Sequence, residues 1–440
     1  MFERSRKGEN ALLIQPHSGP IDVAGQAEFA DLARSAGASV VATLPARVPK
    51  ANPATYIGKG KLEEALLLCE SSGADLVLVN HLLTPVQERN LEKTLQRRVV
   101  DRTGLILDIF AMRASSHEGK LQVELAQLKH VATRLIRGWT HLERQRGGSI
   151  GLRGPGETQL ETDRRLLQKR LEQLQKRLDK IGVQRTQMRR ARLRNEVPRV
   201  ALVGYTNAGK STLFNALTGS GVLVADQLFA TLDPTVRRVE GLDCGPLVLS
   251  DTVGFVRDLP HELVAAFRST LSEARDADLL LHVVDASDPL RDERIAQVDA
   301  VLTEIGAGEL PQILVFNKLD ALADAQAGED LPISTAHRER PVDARERIWL
   351  SAHTGAGLEL LKTALGEQFA AERVQGEVRI PPRAARLRAQ LHALGAVRSE
   401  VGDEYGWRMQ VELARTQALQ LASESGGEAI QPLLAAATAP

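Results

Sequence analysis

The chain has 440 residues, with 56 Lys and Arg against 56 Asp and Glu, so its formal net charge at pH 7 is zero. It is 43% hydrophobic and 25% charged, which is typical of a soluble globular protein, and its length predicts about three domains. No apolar run approaches the ~18 residues of a membrane-spanning helix, and the N-terminus has no apolar signal-peptide core, so we expect neither feature.

Short apolar runs alternate with helical patterns over the first hundred residues. The runs at 11–14, 39–44, 75–79 and 98–100 predict strands, and the segments 26–36, 61–71 and 85–96 predict helices. This alternation is typical of a small parallel α/β unit, to which we assign residues 1–115. The basic glycine turn at 56–61 is either the start of a helix or a contact for an anion or RNA.

The hydrophobic period changes after residue 120. Apolar residues recur at steps of three and four along 121–142 and again along 160–188, which predicts two long helices. Five glycines and one proline within 146–157 predict an irregular loop between them. We therefore expect an antiparallel helical hairpin over residues 116–197.

This hairpin is strongly basic. Residues 134–199 contain 18 Lys and Arg but 7 Asp and Glu, an excess of eleven positive charges that the neutral total conceals. A basic rod with a glycine tip suits a phosphate backbone, especially that of folded RNA, whereas the alternative is a solvated coiled-coil face. As RNA contacts we predict Arg146, Arg153, Arg164, Arg165, Arg189 and Arg190.

The sequence GYTNAGKS at 204–211 fits the phosphate-binding pattern G-x-x-x-x-G-K-[ST]. An apolar run precedes it and a helix-competent run follows it, as the loop requires. Its backbone N–H groups would surround phosphate oxygens, Lys210 would reach the β- and γ-phosphates, and Ser211 would offer a hydroxyl to Mg²⁺. The predicted contacts in this loop are Gly204, Tyr205, Thr206, Asn207, Ala208, Gly209, Lys210 and Ser211.

Four further motifs follow in the order of a guanine-nucleotide site. Thr231 would bind Mg²⁺ when a γ-phosphate is present, Asp251 would hold Mg²⁺ through water, and the Gly254 N–H would contact the γ-phosphate. The Asp320 carboxylate matches the two donors of the guanine edge, whereas adenine leaves polar groups unpaired at a cost on the order of 1–3 kcal/mol each.

Ser211 and Thr231 are the predicted metal ligands. Together with Thr231, Asp251, Gly254 and Asp320, the nucleotide contacts predicted outside the phosphate loop are Phe229, Ala230, Leu232, Asp233, Thr252, Val253, Asn317, Lys318, Leu319, Ser351, Ala352 and His353.

No residue is assigned as the catalytic group. Many GTPases carry a glutamine directly after the D-x-x-G glycine, where it orients the attacking water, but this chain has Phe255. We therefore expect slow hydrolysis by the protein alone and acceleration by a partner. Arg257 is a candidate cation in the same segment.

Strands and helices alternate through residues 198–372, which predicts a doubly wound P-loop domain. Residues 373–440 predict a small C-terminal α/β domain, with a linker at 378–382 and a frayed alanine-rich tail from 433. The predicted fold class is therefore α/β and multidomain: a parallel α/β unit, a long antiparallel helical hairpin, the P-loop domain and the small C-terminal domain.

The ordered set of five motifs resembles that of the translation-factor-like P-loop GTPases. The segments 147–165, 56–61 and 101–128, together with GYTNAGKS and FATLDPT (229–235), resemble the HflX family. The resemblance implies a cytoplasmic GTPase that binds the large ribosomal subunit and its rRNA and dissociates stalled or idle ribosomes. It also implies that the glycine loop at 147–156 reaches toward the peptidyl-transferase region.

Two other functions compete with this one. In the first, the chain is a ribosome-assembly or RNA-binding factor in which GTP acts mainly as an affinity switch. In the second, it is a membrane or signalling GTPase, which the basic hairpin and the lack of a lipid-anchor motif disfavour. We expect GTP and GDP as ligands, Mg²⁺ as cofactor, a monomer, and two reduced buried cysteines, Cys69 and Cys244.

Overall fold

The computed structural model describes residues 9–138, 155–193, 197–219, 228–229, 231–257, 268–325, 335–342, 344–370, 373–414, 418, 421–422 and 427–436. The strands are β1 (Asn10–His17), β2 (Ser39–Arg47), β3 (Leu76–Val79), β4 (Arg98–Asp101), β5 (Arg199–Gly204), β6 (Thr235–Val239), β7 (Leu247–Asp251), β8 (Leu279–Asp285), β9 (Gln312–Asn317), β10 (His337–Glu339), β11 (Glu346–Trp349), β12 (Arg373–Ile380), β13 (Val397–Asp403) and β14 (Gly406–Ala414).

The α-helices are α1 (Val23–Ser35), α2 (Lys59–Ser72), α3 (Pro85–Leu95), α4 (Arg102–Arg113), α5 (His117–Gly138), α6 (Pro155–Leu193), α7 (Lys210–Thr218), α8 (Arg268–Arg275), α9 (Arg291–Glu304), α10 (Leu319–Ala325), α11 (Leu358–Ala370), α12 (Ala385–Ala393) and α13 (Gln431–Ala436).

The N-terminal sheet has the strand order β2-β1-β3-β4, and all its pairs are parallel. Leu13 faces a core that contains Phe29 of α1 and Phe110 of α4, while Leu12 faces a second core that contains Leu91 of α3. Because both faces are covered, the strands are almost entirely apolar. The predicted parallel α/β unit is confirmed.

Helices α5 and α6 pack along a leucine seam. Leu121, Leu125 and Leu174 are buried in it, and Arg170 of α6 forms a 2.6 Å ion pair with Glu124 of α5. The predicted irregular loop is wrong at its C-terminal end, because Pro155, Gly156 and Glu157 form the first turn of α6. Proline fits that position since the first N–H of a helix has no intrahelical partner. Residues 139–154 lie outside the described residues.

The central sheet has the order β10-β11-β9-β8-β5-β7-β6 and is parallel except at β6 and β10, its two edge strands. This confirms the predicted doubly wound P-loop domain. The sequence analysis missed β10, whose three residues are all polar or charged and show no apolar alternation.

The C-terminal region forms an antiparallel sheet of order β12-β14-β13. The predicted linker at 378–382 is wrong at 378–380, because β12 buries Val374, Val378 and Ile380 on one face while charged residues alternate with them. The tail prediction also fails as far as residue 436: Leu433 of α13 is buried against this sheet.

Two further expectations can be compared with the described residues. Cys69 and Cys244 are both buried and free, as predicted. Within the described ranges, no helix is both long and apolar enough to cross a membrane.

Candidate nucleotide-binding site

The phosphate loop connects the end of β5 to the start of α7, in the predicted strand–loop–helix arrangement. Gly204 has φ +145°, and a Cβ there would overlap the carbonyl oxygen of Val283. Gly209 has φ +89°, and a Cβ there would overlap the Asn317 amide. Both positions therefore require glycine, for backbone conformation and for space.

Lys210 is buried at the base of this loop, where its Nζ donates a 2.7 Å hydrogen bond to the Tyr205 carbonyl oxygen. Burial lowers the pKa of Lys210 to about 8, although the nearby Asp251 carboxylate raises it. A Cβ on Gly254 would lie 2.9 Å from this Nζ, so the Gly254 backbone borders the ammonium group. A phosphate at this point would contact both groups and favour the charged lysine.

Three oxygen-bearing side chains from separate segments meet next to Lys210. Ser211 Oγ lies 2.8 Å from Thr231 Oγ1 and donates to Asp251 Oδ2 at 2.7 Å, and Thr231 Oγ1 donates to the same Oδ2 at 3.0 Å. Asp251 is fully buried, and within the described structure its Oδ1 has no hydrogen-bond partner. Burial raises the pKa of this carboxyl, against the hydrogen bond from Ser211.

This oxygen cluster fits a hard divalent cation. Mg²⁺ prefers carboxylate, hydroxyl and water oxygens, and it would offset the cost of burying the Asp251 charge. The three groups occupy the positions at which the sequence predicts the metal ligands Ser211 and Thr231 and the water-mediated contact of Asp251.

The opposite end of the site is organised by Asn317. Its Nδ2 donates to the Ala208 carbonyl oxygen at 3.0 Å and its Oδ1 accepts from the Ala352 N–H at 2.9 Å, so it joins the phosphate loop to the segment after β11. Asp320 Oδ1 accepts a 2.5 Å hydrogen bond from Ser351 Oγ. His353 is exposed, with Nδ1 3.9 Å from Asp320 Oδ2. The predicted base-recognition residues thus lie together.

Several predicted contacts have side chains that lie elsewhere. Phe229 (φ +56°) packs its ring edge-on against Phe110 of α4, with centroids 4.6 Å apart, and Leu232 is buried in the same core. Asp233 accepts hydrogen bonds from Ser115 and Ser116. Of the described side chains of the FATLDPT motif predicted to bind nucleotide, only Thr231 reaches the metal cluster. Ala230 lies outside the described residues.

Tyr205, Thr252, Val253, Leu319 and Lys318 also direct their side chains into protein contacts. The Tyr205 hydroxyl donates to Glu28 of α1 and accepts from the Arg257 N–H at 2.7 Å, and burial raises its pKa. Thr252 Oγ1 donates to the Leu202 carbonyl oxygen, Lys318 pairs with Asp285, and Val253 and Leu319 are buried. Any nucleotide contact from these residues must use the backbone or, for Lys318, the side-chain stem.

Phe255 is buried between the phosphate loop and the N-terminal sheet. Its N–H donates to the Gly204 carbonyl oxygen at 3.1 Å, and its own carbonyl oxygen accepts from Thr206. The ring belongs to a core shared with Phe29 and Phe110. A buried hydrocarbon ring cannot orient water. The candidate cation Arg257 is engaged as well, in an ion pair with Asp22.

Sequence reasoning missed this interdomain contact entirely. Its polar residues on the N-terminal side, Asp22, Glu28, Arg102, Ser115 and Ser116, carry no motif spacing that links them to the phosphate loop. The one usable signal was compositional: FATLDPT contains three large or charged side chains that metal binding by Thr231 does not need.

The predicted RNA contacts are only partly visible. Arg164 and Arg165 are exposed on α6. Arg189 and Arg190 belong to the same helix, but their side chains lie outside the described part of the chain, as do Arg146 and Arg153 altogether.

Family models match three consecutive parts of this chain: a GTP-binding GTPase N-terminal region at 24–111, a GTP-binding GTPase middle region at 113–192, and a 50S ribosome-binding GTPase at 199–318. A GTPase HflX of Escherichia coli (strain K12) is 52% identical over 407 residues, covering 92% of this chain and 93% of that protein. A GTPase HflX of Magnetococcus marinus is 47% identical over 407 residues, covering 92% and 91%.

Similarity extends to solved structures. A GTP-binding protein from the hyperthermophilic archaeon Sulfolobus solfataricus, in complex with GDP, is 25% identical, covers 82% of this chain and 98% of that chain, and has a TM-score of 0.43.

Proposed function

Because this chain belongs to the HflX family of GTPases and is a GTP hydrolase, we propose that it acts on ribosomes: it binds the large subunit and dissociates stalled or idle ribosomes, and GTP hydrolysis releases it for another cycle. The observation that carries the proposal is a helix with exposed arginines, α6, in a chain whose G domain matches a 50S ribosome-binding GTPase model. The exposed Arg164 and Arg165 supply charge that rRNA phosphates attract.

The residues of the site divide the work of binding. Lys210 neutralises charge at the β- and γ-phosphates, and Asn317 holds the phosphate loop and the base-recognition segment in one arrangement. Asp320 pairs with the guanine edge. Ser211 and Thr231 would hold Mg²⁺ directly and Asp251 through water, and the ion would neutralise charge that develops on the phosphates.

Hydrolysis needs help from outside the chain. Phe255 offers no hydrogen-bonding group and Arg257 is paired with Asp22, so neither orients water nor stabilises the transferred phosphoryl group. The large ribosomal subunit would supply this activation by ordering the segments around Thr231 and Gly254. Activation of other GTPases in trans accelerates hydrolysis about 10³- to 10⁵-fold.

Sedimentation of intact ribosomes with the protein and GTP tests the proposal. Splitting into subunits is the expected result. Stable migration with separate subunits, without splitting, would favour the assembly-factor or RNA-binding function.

Phosphate release with and without purified large subunits tests the activation. We expect slow basal hydrolysis and strong stimulation, which Arg164→Gln/Arg165→Gln reduces without changing the basal rate. The matched control is Arg237→Gln/Arg238→Gln, an exposed basic pair on β6. The salt dependence of subunit binding should also flatten, by about 0.7–0.9 in log–log slope per lost phosphate contact. Fast hydrolysis by the protein alone would contradict the argument from Phe255.

A further inference from the structure

Asp233 is the most heavily hydrogen-bonded carboxylate of the interface between the G domain and the N-terminal region. Its Oδ2 accepts from the Ser115 N–H and Oγ, both at 2.8 Å, and from the Ser116 N–H at 2.7 Å. Its Oδ1 accepts from Ser116 Oγ at 2.5 Å. Four donors on one ionised carboxylate make a directional contact, because hydrogen bonds to charged groups are stronger than neutral ones.

The donors form the start of helix α5. Ser116 immediately precedes the helix, and its Oγ accepts from the Gly119 N–H at 2.9 Å, which is an N-cap contact. Asp233 therefore lies at the positive end of the helix dipole. A Cβ on Gly119 would overlap Asp233 Oδ1, so the carboxylate reaches this position only because residue 119 is glycine.

The same short segment carries Thr231 at the metal cluster. Thr231 and Asp233 are separated by Leu232, which is buried in the interdomain core. Two residues span at most about 7 Å of chain, so anchoring Asp233 restricts where the Thr231 hydroxyl can lie. In this structure that hydroxyl is within hydrogen-bond distance of both Ser211 and Asp251.

We propose that Asp233, anchored by Ser115 and Ser116, is a positioning residue that holds Thr231 at the metal and γ-phosphate end of the site. The anchor favours the GTP·Mg²⁺ state over the GDP state, because Thr231 is needed only when a γ-phosphate is present. By thermodynamic linkage, GTP·Mg²⁺ in turn strengthens the contact of the G domain with α5, the first helix of the basic hairpin. The inference rests on the proposed Mg²⁺ and GTP site.

The test compares affinities for a non-hydrolysable GTP analogue and for GDP, with Mg²⁺ present, in full-length Asp233→Asn and Gly119→Ala. Asp233→Asn removes the charge of the acceptor, and Gly119→Ala displaces the carboxylate without touching the nucleotide. We expect both variants to bind the analogue about tenfold more weakly, as the loss of several hydrogen bonds implies, and GDP within about twofold of wild type. Asp243→Asn, an exposed carboxylate of the same domain, is the control.

The double variant provides a second measurement. Because both substitutions break one contact, Asp233→Asn/Gly119→Ala should lose no more than the larger single effect. Equal weakening of analogue and GDP, or no weakening of either in folded variants, would overturn the proposal. If Asp233→Asn does not fold, Gly119→Ala decides alone.

Failure of the underlying site is distinguishable from failure of the anchor. Wild-type protein whose analogue binding is independent of Mg²⁺ would contradict the metal site, whatever the variants do. Wild-type protein with Mg²⁺-dependent binding that both variants retain would contradict the anchor alone.

Discussion

Two parallel sheets of this chain end in polar side chains and use them differently. At the carboxyl ends of the N-terminal strands, Asn80 donates to Gln15 at 2.8 Å, and Arg102 donates to Asn80 at 2.8 Å and to Glu28 at 2.5 Å. Arg102 also donates to the Arg257 carbonyl oxygen of the G domain. This edge satisfies its own polar groups and binds protein.

The corresponding edge of the central sheet leaves polar groups available. Within the described structure, Asp251 Oδ1 and Thr206 Oγ1 are buried without a hydrogen-bond partner. Lys210 donates to the carbonyl oxygen of its own loop. The carboxyl ends of parallel strands are where α/β folds bind ligands, but the comparison shows that the placement alone is insufficient. Ligand binding also requires buried polar groups that the protein leaves unpaired.

The largest expected effect separates the two edges directly. Lys210→Ala should weaken GTP binding about 1,000-fold, or roughly 4 kcal/mol, because it removes charge-assisted hydrogen bonds to two phosphates in a buried setting. The unfolding free energy of the ligand-free protein should fall little, since the buried ammonium is costly without phosphate. Equilibrium nucleotide binding and thermal unfolding measure both, with the exposed Lys362→Ala as control. Unchanged GTP affinity would contradict the phosphate-loop assignment.

The reverse pattern is expected for Arg102→Gln at the N-terminal edge. Breaking a buried ion pair with Glu28 should lower the unfolding free energy by about 3 kcal/mol. GTP affinity should change less than tenfold, because Arg102 lies outside the phosphate and base contacts. Arg34→Gln, which breaks an exposed pair with Asp31, should cost at most about 1 kcal/mol. A loss of GTP affinity without a loss of stability would mean that the N-terminal edge serves the nucleotide after all.

The base-recognition end of the site should show a change of preference. Asp320→Asn should weaken GTP binding roughly 30- to 100-fold, or ~2–3 kcal/mol, since two hydrogen bonds to a charged group are lost. Xanthosine triphosphate should then bind better than GTP, because its edge presents an acceptor where guanine presents a donor. Competition binding measures the ratio, with Asp243→Asn as control. Equal losses for both nucleotides would assign Asp320 a structural role.

The smallest expected effect concerns His282, buried in β8. Burial, with added repulsion from Arg345 and Lys210, lowers its pKa from 6.5 to about 4. The unfolded chain therefore binds an extra proton between these values, and stability falls as pH falls through this window. At about 1.4 kcal/mol per pKa unit, the loss between pH 7 and pH 5 is about 2 kcal/mol. His282→Asn should flatten this part of the curve of unfolding free energy against pH. An unchanged slope would show that His282 does not titrate in this window.

The sequence by itself determined the fold class and the elements of the nucleotide site. Phosphate loops depend on two glycines and a lysine within eight residues, and apolar strands that precede each motif place the motifs at one sheet edge. Such short-range relations are visible in a linear pattern. The pattern failed where alternation was weak or masked, as at β10 and at β12, whose valines are interleaved with charged residues.

Only the tertiary structure decided which side chains face the nucleotide. The contact of Asp233 with Ser115 spans 118 positions, and that of Tyr205 with Glu28 spans 177. No spacing rule connects residues so far apart, since their approach depends on how two independently stabilised sheets pack. Within FATLDPT, the sequence therefore identified Thr231 by its chemistry. That Phe229, Leu232 and Asp233 turn toward the N-terminal domain follows from the burial of a shared apolar core.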